Sequence, residues 1–186
     1  PRKPERNWRQ PEFLTAGADG RSYGSAMHAA LQYLKYENCG DVQAVAAEIQ
    51  RLIAEGFLTL EQGTLVKPEK LARFFQTEPG RKLCSGTPCL REFKFSIMDD
   101  GTHYGDGLEG EQVLLQGVVD CALLEPDGIT IIDFKTDRVT EETVAAAAER
   151  YSHQVRTYAD ALSRIYEMPV KGKMLYFFSL DAFVAL

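Results

Sequence analysis

Two short strings in this 186-residue sequence place acids where a cation and a water could be handled. They are Gly117-Val118-Val119-Asp120 and, thirteen positions beyond Asp120, the run Asp133-Phe134-Lys135. Between them lie an apolar run, the turn Glu125-Pro126-Asp127-Gly128 and a second apolar run from Ile129 to Phe134. Pro and Gly at the reversal between two apolar runs predict a β-hairpin. Side chains alternate along a strand, so Ile131, Asp133 and Lys135 share one face, Ile132 and Phe134 take the other, and Asp120 falls with Gln116 and Val118. Such a hairpin brings two carboxylates and an ammonium to one end of a sheet. Two acids can hold a divalent cation, and a nearby amine can orient or deprotonate a water. The plainer alternative makes Asp120 a buried partner of Arg138 and Asp133-x-Lys135 an ordinary strand end. Against it, both acids end apolar strands, where desolvating a carboxylate costs several kcal/mol unless a charge compensates.

The elements that must position these groups can be read along the chain. Residues 1–23 are polar, with Arg2, Lys3, Arg6 and Arg9 near Trp8, and read as a linker from a preceding domain. A start at Pro1 without Met suits a piece of something longer. From about Ser25 to Asn38, the apolar positions Met27, Ala30, Leu31 and Leu34 follow helical spacing, with Gly40 as the stop and His28 beside the stripe. Asp41 caps a second helix to about Glu55, ended by Gly56. Thr59 with Gln62 forms a capping box for a short third. Pro68 and Pro79 open two more, at 68–76 and 79–85. Leu52, Ile53, Phe57, Leu71, Phe74 and Phe75 are the expected core of this group. A strand is predicted from Leu90 to Met98, with Phe93, Phe95 and Ile97 alternating against Glu92, Lys94 and Ser96. The Gly- and acid-rich segment from Asp99 to Glu111 reads as a loop; its Asp-Asp-Gly start lacks the spacing of a calcium loop. After the hairpin, Thr140 is expected to cap a helix through Ala145–Ala148, leading into a second helical stretch from Tyr151 to Tyr166. Gln154 and Tyr158, four apart, share a face there with Leu162 and Ile165. A final strand spans Lys171 to Leu180. The expected architecture is α/β, a small mixed sheet in α-β-β-β-α-β order with an amino-terminal helical cluster over the site's edge.

Composition bounds the answer. A chain of this length with 45% hydrophobic residues suits one globular domain with a sizeable core. The net charge of −6 has the wrong sign for a stand-alone nucleic-acid binder. A metal-dependent pocket is itself acidic, though, and its ion inverts the local sign. Cys39, Cys84, Cys89 and Cys121 show no CxxC pairing, and Cys84 and Cys89 lack a matching His pair for zinc, so free thiols in a reducing compartment are expected. There is no signal peptide, transmembrane run or internal repeat.

Taken in order, Gly24-x2-Met27-His28, Gly117-Val-Val-Asp120, Ile131-Ile-Asp-Phe-Lys-Thr-Asp-Arg138 and Gln154-x3-Tyr158 resemble the RecB-type branch of the PD-(D/E)XK nucleases. Within it they are similar to the carboxy-terminal nuclease domains of AddA-type helicase–nucleases. The resemblance runs from about Gly24 to the chain end, giving a nuclease domain over 24–186. It implies a restriction-endonuclease-like fold and a bacterial, cytoplasmic DNA exonuclease that processes double-strand breaks for recombinational repair. It implies Mg²⁺, replaceable by Mn²⁺, bound by His28, Asp120, Asp133 and the Phe134 carbonyl. Lys135 would position or activate the attacking water, Gln154 and Tyr158 would hold DNA, and Glu92 would be a supporting acid. Some relatives carry an iron–sulfur cluster whose last cysteines follow the lysine; none lies beyond Cys121 here, so no cluster is expected. The implied partners are single-stranded DNA delivered by unwinding, helicase domains of a parent chain and an AddB-like subunit. The alternative is a catalytically silent domain of the same fold that guides DNA or holds partners.

Overall fold

In a computed structural model, which describes residues 18–101 and 110–186, five strands form one mixed sheet between two unequal helical layers. The helices are α1 (Ala18–Tyr33), α2 (Val42–Ala54), α3 (Leu60–Leu65), α4 (Pro68–Phe75), α5 (Glu78–Cys84) and α6 (Val144–Tyr166), and the strands are β1 (Cys89–Asp100), β2 (Gln112–Glu125), β3 (Gly128–Lys135), β4 (Val170–Phe177) and β5 (Ala182–Ala185). The sheet order is β1-β2-β3-β4-β5, with β3 and β4 parallel and the other neighbours antiparallel. A parallel pair needs a crossover, and α6 supplies it. The α/β expectation holds.

Each layer has its own core. On one face, α1 to α5 bury Met27, Leu34, Leu52, Leu71, Phe74 and Phe75 against Cys121, Leu123, Ile132, Phe134 and Tyr176. On the other, α6 buries Tyr151, Val155, Tyr158 and Leu162 against Phe95, Val119, Ile129, Ile131, Leu175 and Phe177. Phe74 is the hub of the first core: its ring meets Phe134 edge-on at 5.0 Å and Tyr176 at 5.1 Å. Phe134 also stacks on Phe178 at 5.8 Å. Burying a Phe contributes on the order of 2–3 kcal/mol, so the apolar residue inside Asp133-Phe134-Lys135 clamps the polar residues on either side of it.

Local chemistry explains most element ends. Asp41 accepts the Ala44 N–H as N-cap of α2, and Thr59 and Gln62 form the complete capping box of α3. Thr77 caps α5, placing Pro79 in its first turn. Several boundaries differ from expectation. Helix α1 starts at Ala18, within the stretch read as linker, and ends at Tyr33, followed by a 3₁₀ turn over Tyr36–Asn38. Buried Glu48 organises that turn by accepting from Lys35 N–H, Asn38 Nδ2 and Arg51, an arrangement that helical spacing does not encode. Strand β1 continues to Asp100, so Asp99 and Asp100 lie on a strand and not in a loop. Residues 102–109 of that expected loop lie outside the described residues, as does the basic stretch around Trp8. After the hairpin there is one continuous helix. Thr140 does not cap it: its carbonyl accepts the Val144 N–H from a turn, and Thr143 holds the N-cap position. The chain past Phe177 turns at Asp181 into β5, a strand the sequence reading missed because four residues carry almost no periodic signal. Phe57, read as core, is 44% exposed and stacks on Tyr33, and Ile165 is also exposed.

Candidate active site

The long β1–β2 pair has an irregularity at which the site is built. Before it, Cys89, Cys121 and Leu123 face the α1–α5 core; beyond it, Phe93, Phe95, Ile97, Leu115 and Val119 face α6. The inward parity therefore changes at Glu92 on β1 and at Asp120 on β2, the one position where the Arg91↔Cys121 and Phe93↔Val119 pairing is interrupted. Glu92 takes a left-handed backbone conformation, φ 45°, to make the change. A residue without glycine's freedom adopts that region only where its surroundings impose it, and such positions cluster at functional sites.

The switch brings both acids to His28. The ring Nδ1 lies 3.5 Å from Glu92 Oε1 and 3.5 Å from Asp120 Oδ1, and Nε2 lies 3.1 Å from the Phe134 carbonyl oxygen. Helix α1 can come this close because Gly24, one turn before His28, faces Thr136: a Cβ there would stand 2.9 Å from Thr136 Oγ1. Asp120 does a second job. Its Oδ2 accepts the Phe134 N–H at 2.8 Å, tying β2 to β3 just past Cys121↔Ile132, where their ladder stops. It accepts from the backbone and faces the imidazole as a charge partner, while Arg138 is exposed.

Asp133 and Lys135 occupy the α6 side of the same strand end. Asp133 is buried, and Lys135 Nζ lies 2.9 Å from its Oδ2, a charge contact without hydrogen-bond alignment, so Oδ2 is a buried acceptor lacking a proper donor. Burial, and next the charge of Asp120, push the Asp133 carboxyl from an ordinary 3.8 up to about 6, against the pull of Lys135 and His28. For His28, burial acts to lower the pKa, but the Asp120 and Glu92 carboxylates outweigh it and hold the imidazole well above its ordinary range. Protonated, it balances the acids around it.

This set suits a hard divalent cation. His28, Glu92 and Asp120 each offer a donor atom, all within 4.8 Å of one another, and theirs is the one such grouping among the described residues. Oxygen donors with one imidazole fit Mg²⁺ or Mn²⁺. The orphaned Oδ2 of Asp133 is a further oxygen that a cation would satisfy. Asp133 itself stands outside the three-residue grouping, beside Lys135. The two buried thiols offer no competing chemistry. Burial pushes Cys39 up to about 12 and Cys121 higher still. A surface cavity lined by Thr77, Lys82, Glu125, Lys171 and Phe183 lies at the hairpin end of the strands and shares no residue with the site.

Gln154 and Tyr158 stand together on α6, Gln154 Nε2 donating to Tyr158 Oη at 2.7 Å. Tyr158 is buried edge-on to Phe95, with ring centroids 5.8 Å apart, and Gly117 makes room for both: a Cβ there would be 2.7 Å from each ring. That gives Gly117, in the first string singled out, its physical reason. Two neighbours escaped the sequence reading. Asp137 and Tyr151 are joined by a 2.8 Å hydrogen bond, and the Tyr151 ring lies under Lys135 Nζ. Asp137 was in plain view in the Lys-Thr-Asp-Arg string; Tyr151, three residues before Gln154, reads only as a core aromatic.

Comparison with known proteins finds similarity along nearly the whole chain. The PD-(D/E)XK nuclease superfamily matches residues 5–184. The chain is 34% identical over 180 residues to the A-type subunit of the ATP-dependent helicase/nuclease of Bacillus cereus (strain AH820), covering 91% of this chain and 14% of that protein. The protein of the same name from Desulforudis audaxviator (strain MP104C) is 35% identical over 172 residues, covering 90% of this chain and 14% of its own length. The chain thus spans about a seventh of these relatives.

Proposed function

The chain belongs to the PD-(D/E)XK nuclease superfamily, and from that premise we propose that it hydrolyses phosphodiester bonds of single-stranded DNA with Mg²⁺, as the nuclease domain of an AddA-type helicase–nuclease that processes double-strand breaks. The observation that carries the reading is the convergence of His28, Glu92 and Asp120 on one point, next to the buried Asp133–Lys135 pair. His28, Asp120, Asp133 and the Phe134 carbonyl would hold the ion, with Glu92 as a further acid and Mn²⁺ able to substitute. Bound there, a divalent ion supplies Lewis-acid stabilisation of the charge that develops on the phosphate and the leaving 3′ oxygen.

The side chains supply the rest. Lys135, held against Asp133, presents its donors to the attacking water and orients it. His28 must be neutral to act as a ligand, so ion binding displaces its proton. Gln154 and Tyr158 bear on the DNA strand, the amide keeping the phenol in place from the solvent side. A domain of net charge −6 grips phosphates weakly, because that affinity comes largely from counterion release by Lys and Arg. Helicase domains of a longer chain and an AddB-like subunit would deliver the unwound strand, and the segment ahead of the nuclease domain would tether it to them. No described helix is long and apolar enough to cross a membrane.

The intact Asp120, Asp133 and Lys135 argue against a silent module. The deciding experiment compares this chain with its full helicase–nuclease complex on one linear duplex and on single-stranded DNA, with and without ATP. The chain should cut single strands slowly with Mg²⁺ or Mn²⁺ and leave blunt duplex nearly untouched, whereas the complex should degrade duplex only while ATP is hydrolysed. Rapid ATP-independent cleavage of duplex by the chain would overturn the assignment to a helicase-fed nuclease. Near-normal turnover by Asp120→Ala or Asp133→Ala would overturn the site.

A further inference from the structure

Lys135 is held from two sides. Asp133 Oδ2 stands 2.9 Å from its Nζ, and on the other side the ammonium lies over the Tyr151 ring, 3.6 Å from the centroid. An ammonium that close to an aromatic face is attracted by the ring quadrupole, and the attraction grows when both groups are desolvated. Both are: Tyr151 is buried, and the Lys135 side chain is only 14% exposed. The ring is itself fixed. It packs tilted against Phe177, with ring centroids 6.4 Å apart, and its hydroxyl donates to Asp137 Oδ2 at 2.8 Å. Asp137 lies two residues beyond Lys135 on the segment leaving β3, so the loop that follows the lysine reaches across to pin the platform beneath it.

We propose that Tyr151 and Asp137 are positioning residues of the nuclease site. The Tyr151 ring forms the platform that fixes the Lys135 ammonium beside Asp133, and the hydrogen bond to Asp137 fixes the ring. Lysine has four rotatable bonds, and a single ion pair leaves it several ways to approach a carboxylate. A flat apolar face opposite the carboxylate removes most of them. Ile, Leu or Met at position 151 could fill the same volume in the α6 core but could not attract a cation. The inference rests on the catalytic role given to Lys135 above, and its test separates the two.

The variants are made in the intact natural chain that carries this domain, and single-strand cleavage is measured with Mg²⁺. Tyr151→Leu should lower kcat by roughly 10- to 100-fold, the scale of loss for misplacing a catalytic group by about 1 Å, while KM and the rise in melting temperature on adding Mn²⁺ stay near wild type. Tyr151→Phe keeps the ring and should lose only a few-fold in kcat. Asp137→Ala should match it, Asp137→Asn should restore most of the loss by still accepting the phenol, and the Tyr151→Phe/Asp137→Ala pair should be no worse than either alone, because all three changes remove one bond. A wild-type kcat for Tyr151→Leu alongside an inactive Lys135→Ala overturns the positioning role and leaves the nuclease reading standing. Additive losses in the pair overturn it too, including where Tyr151→Leu fails to fold. An active Lys135→Ala overturns the catalytic role of the lysine, and this inference with it.

Discussion

Replacing Asp133 by Asn should make the metal-free protein more stable while abolishing cleavage. The Asp133 carboxyl sits at about 6 in the fold against 3.8 ordinarily, because burial and the neighbouring Asp120 disfavour its charge more than Lys135 and His28 favour it. A group whose pKa is raised by folding carries its full stability contribution below the unfolded value and loses it as pH rises through the folded one. The penalty is therefore absent near pH 3.5, grows between pH 4 and 6, and levels off above about pH 7. A shift of this size corresponds to about 3 kcal/mol at the plateau. Lys135 is already counted within it, since its pull helps set the value near 6. Asn has the shape of the protonated acid and escapes the penalty. For a domain of this size, 1 kcal/mol moves the melting temperature by about 2–4 °C, so Asp133→Asn should melt roughly 6–12 °C above the parent at pH 8 and level with it near pH 4. The assay is thermal unfolding in EDTA across that range, repeated with Mg²⁺ or Mn²⁺. The ions should raise the parent more than the variant, narrowing the gap. A variant no more stable than the parent at pH 8, or a difference that does not change with pH, would refute the claim that Asp133 is held as an electrostatically strained ligand.

Gly117→Ala should force apart Phe95 and Tyr158, whose ring atoms stand 2.7 Å from where its Cβ would lie. Overpacking of this kind costs about 1–3 kcal/mol, and cleavage should fall further than stability alone explains as Tyr158 shifts; unchanged melting and activity together would show that the site tolerates its displacement. Glu48, held down at about 2 first by its hydrogen bonds from Arg51, should contribute about 2–3 kcal/mol at neutral pH. That contribution is present above about pH 4.5 and lost as pH falls toward 2, so the stability gap between parent and Glu48→Gln should close on acidification. Urea titrations at pH 7 and pH 3 decide it, equal gaps at both sinking the reasoning.

The hairpin was legible because Pro126, Asp127 and Gly128 mark a turn and the runs on either side have strand periodicity. Alternation along it placed Asp133 and Lys135 on one face, and the caps at Asp41 and Thr59 were equally local, each set by a side chain within three residues of the N–H it accepts. Sequence order also carried the family resemblance, since its motifs are strings. What periodicity could not carry was the place where it breaks. The parity change at Glu92 and Asp120 arises because β1 and β2 must face α1–α5 at one end and α6 at the other, a demand made by two separate cores that no single strand encodes. That change puts Glu92 beside His28 and leaves Asp133 on the lysine's side, dividing between two faces the acids that the linear reading gathered into one group. The Tyr151 platform lies deeper still in the tertiary structure. An aromatic on an apolar helix stripe reads as core wherever it occurs, and only the crossover of α6 behind the parallel β3–β4 pair sets this ring beneath an ammonium.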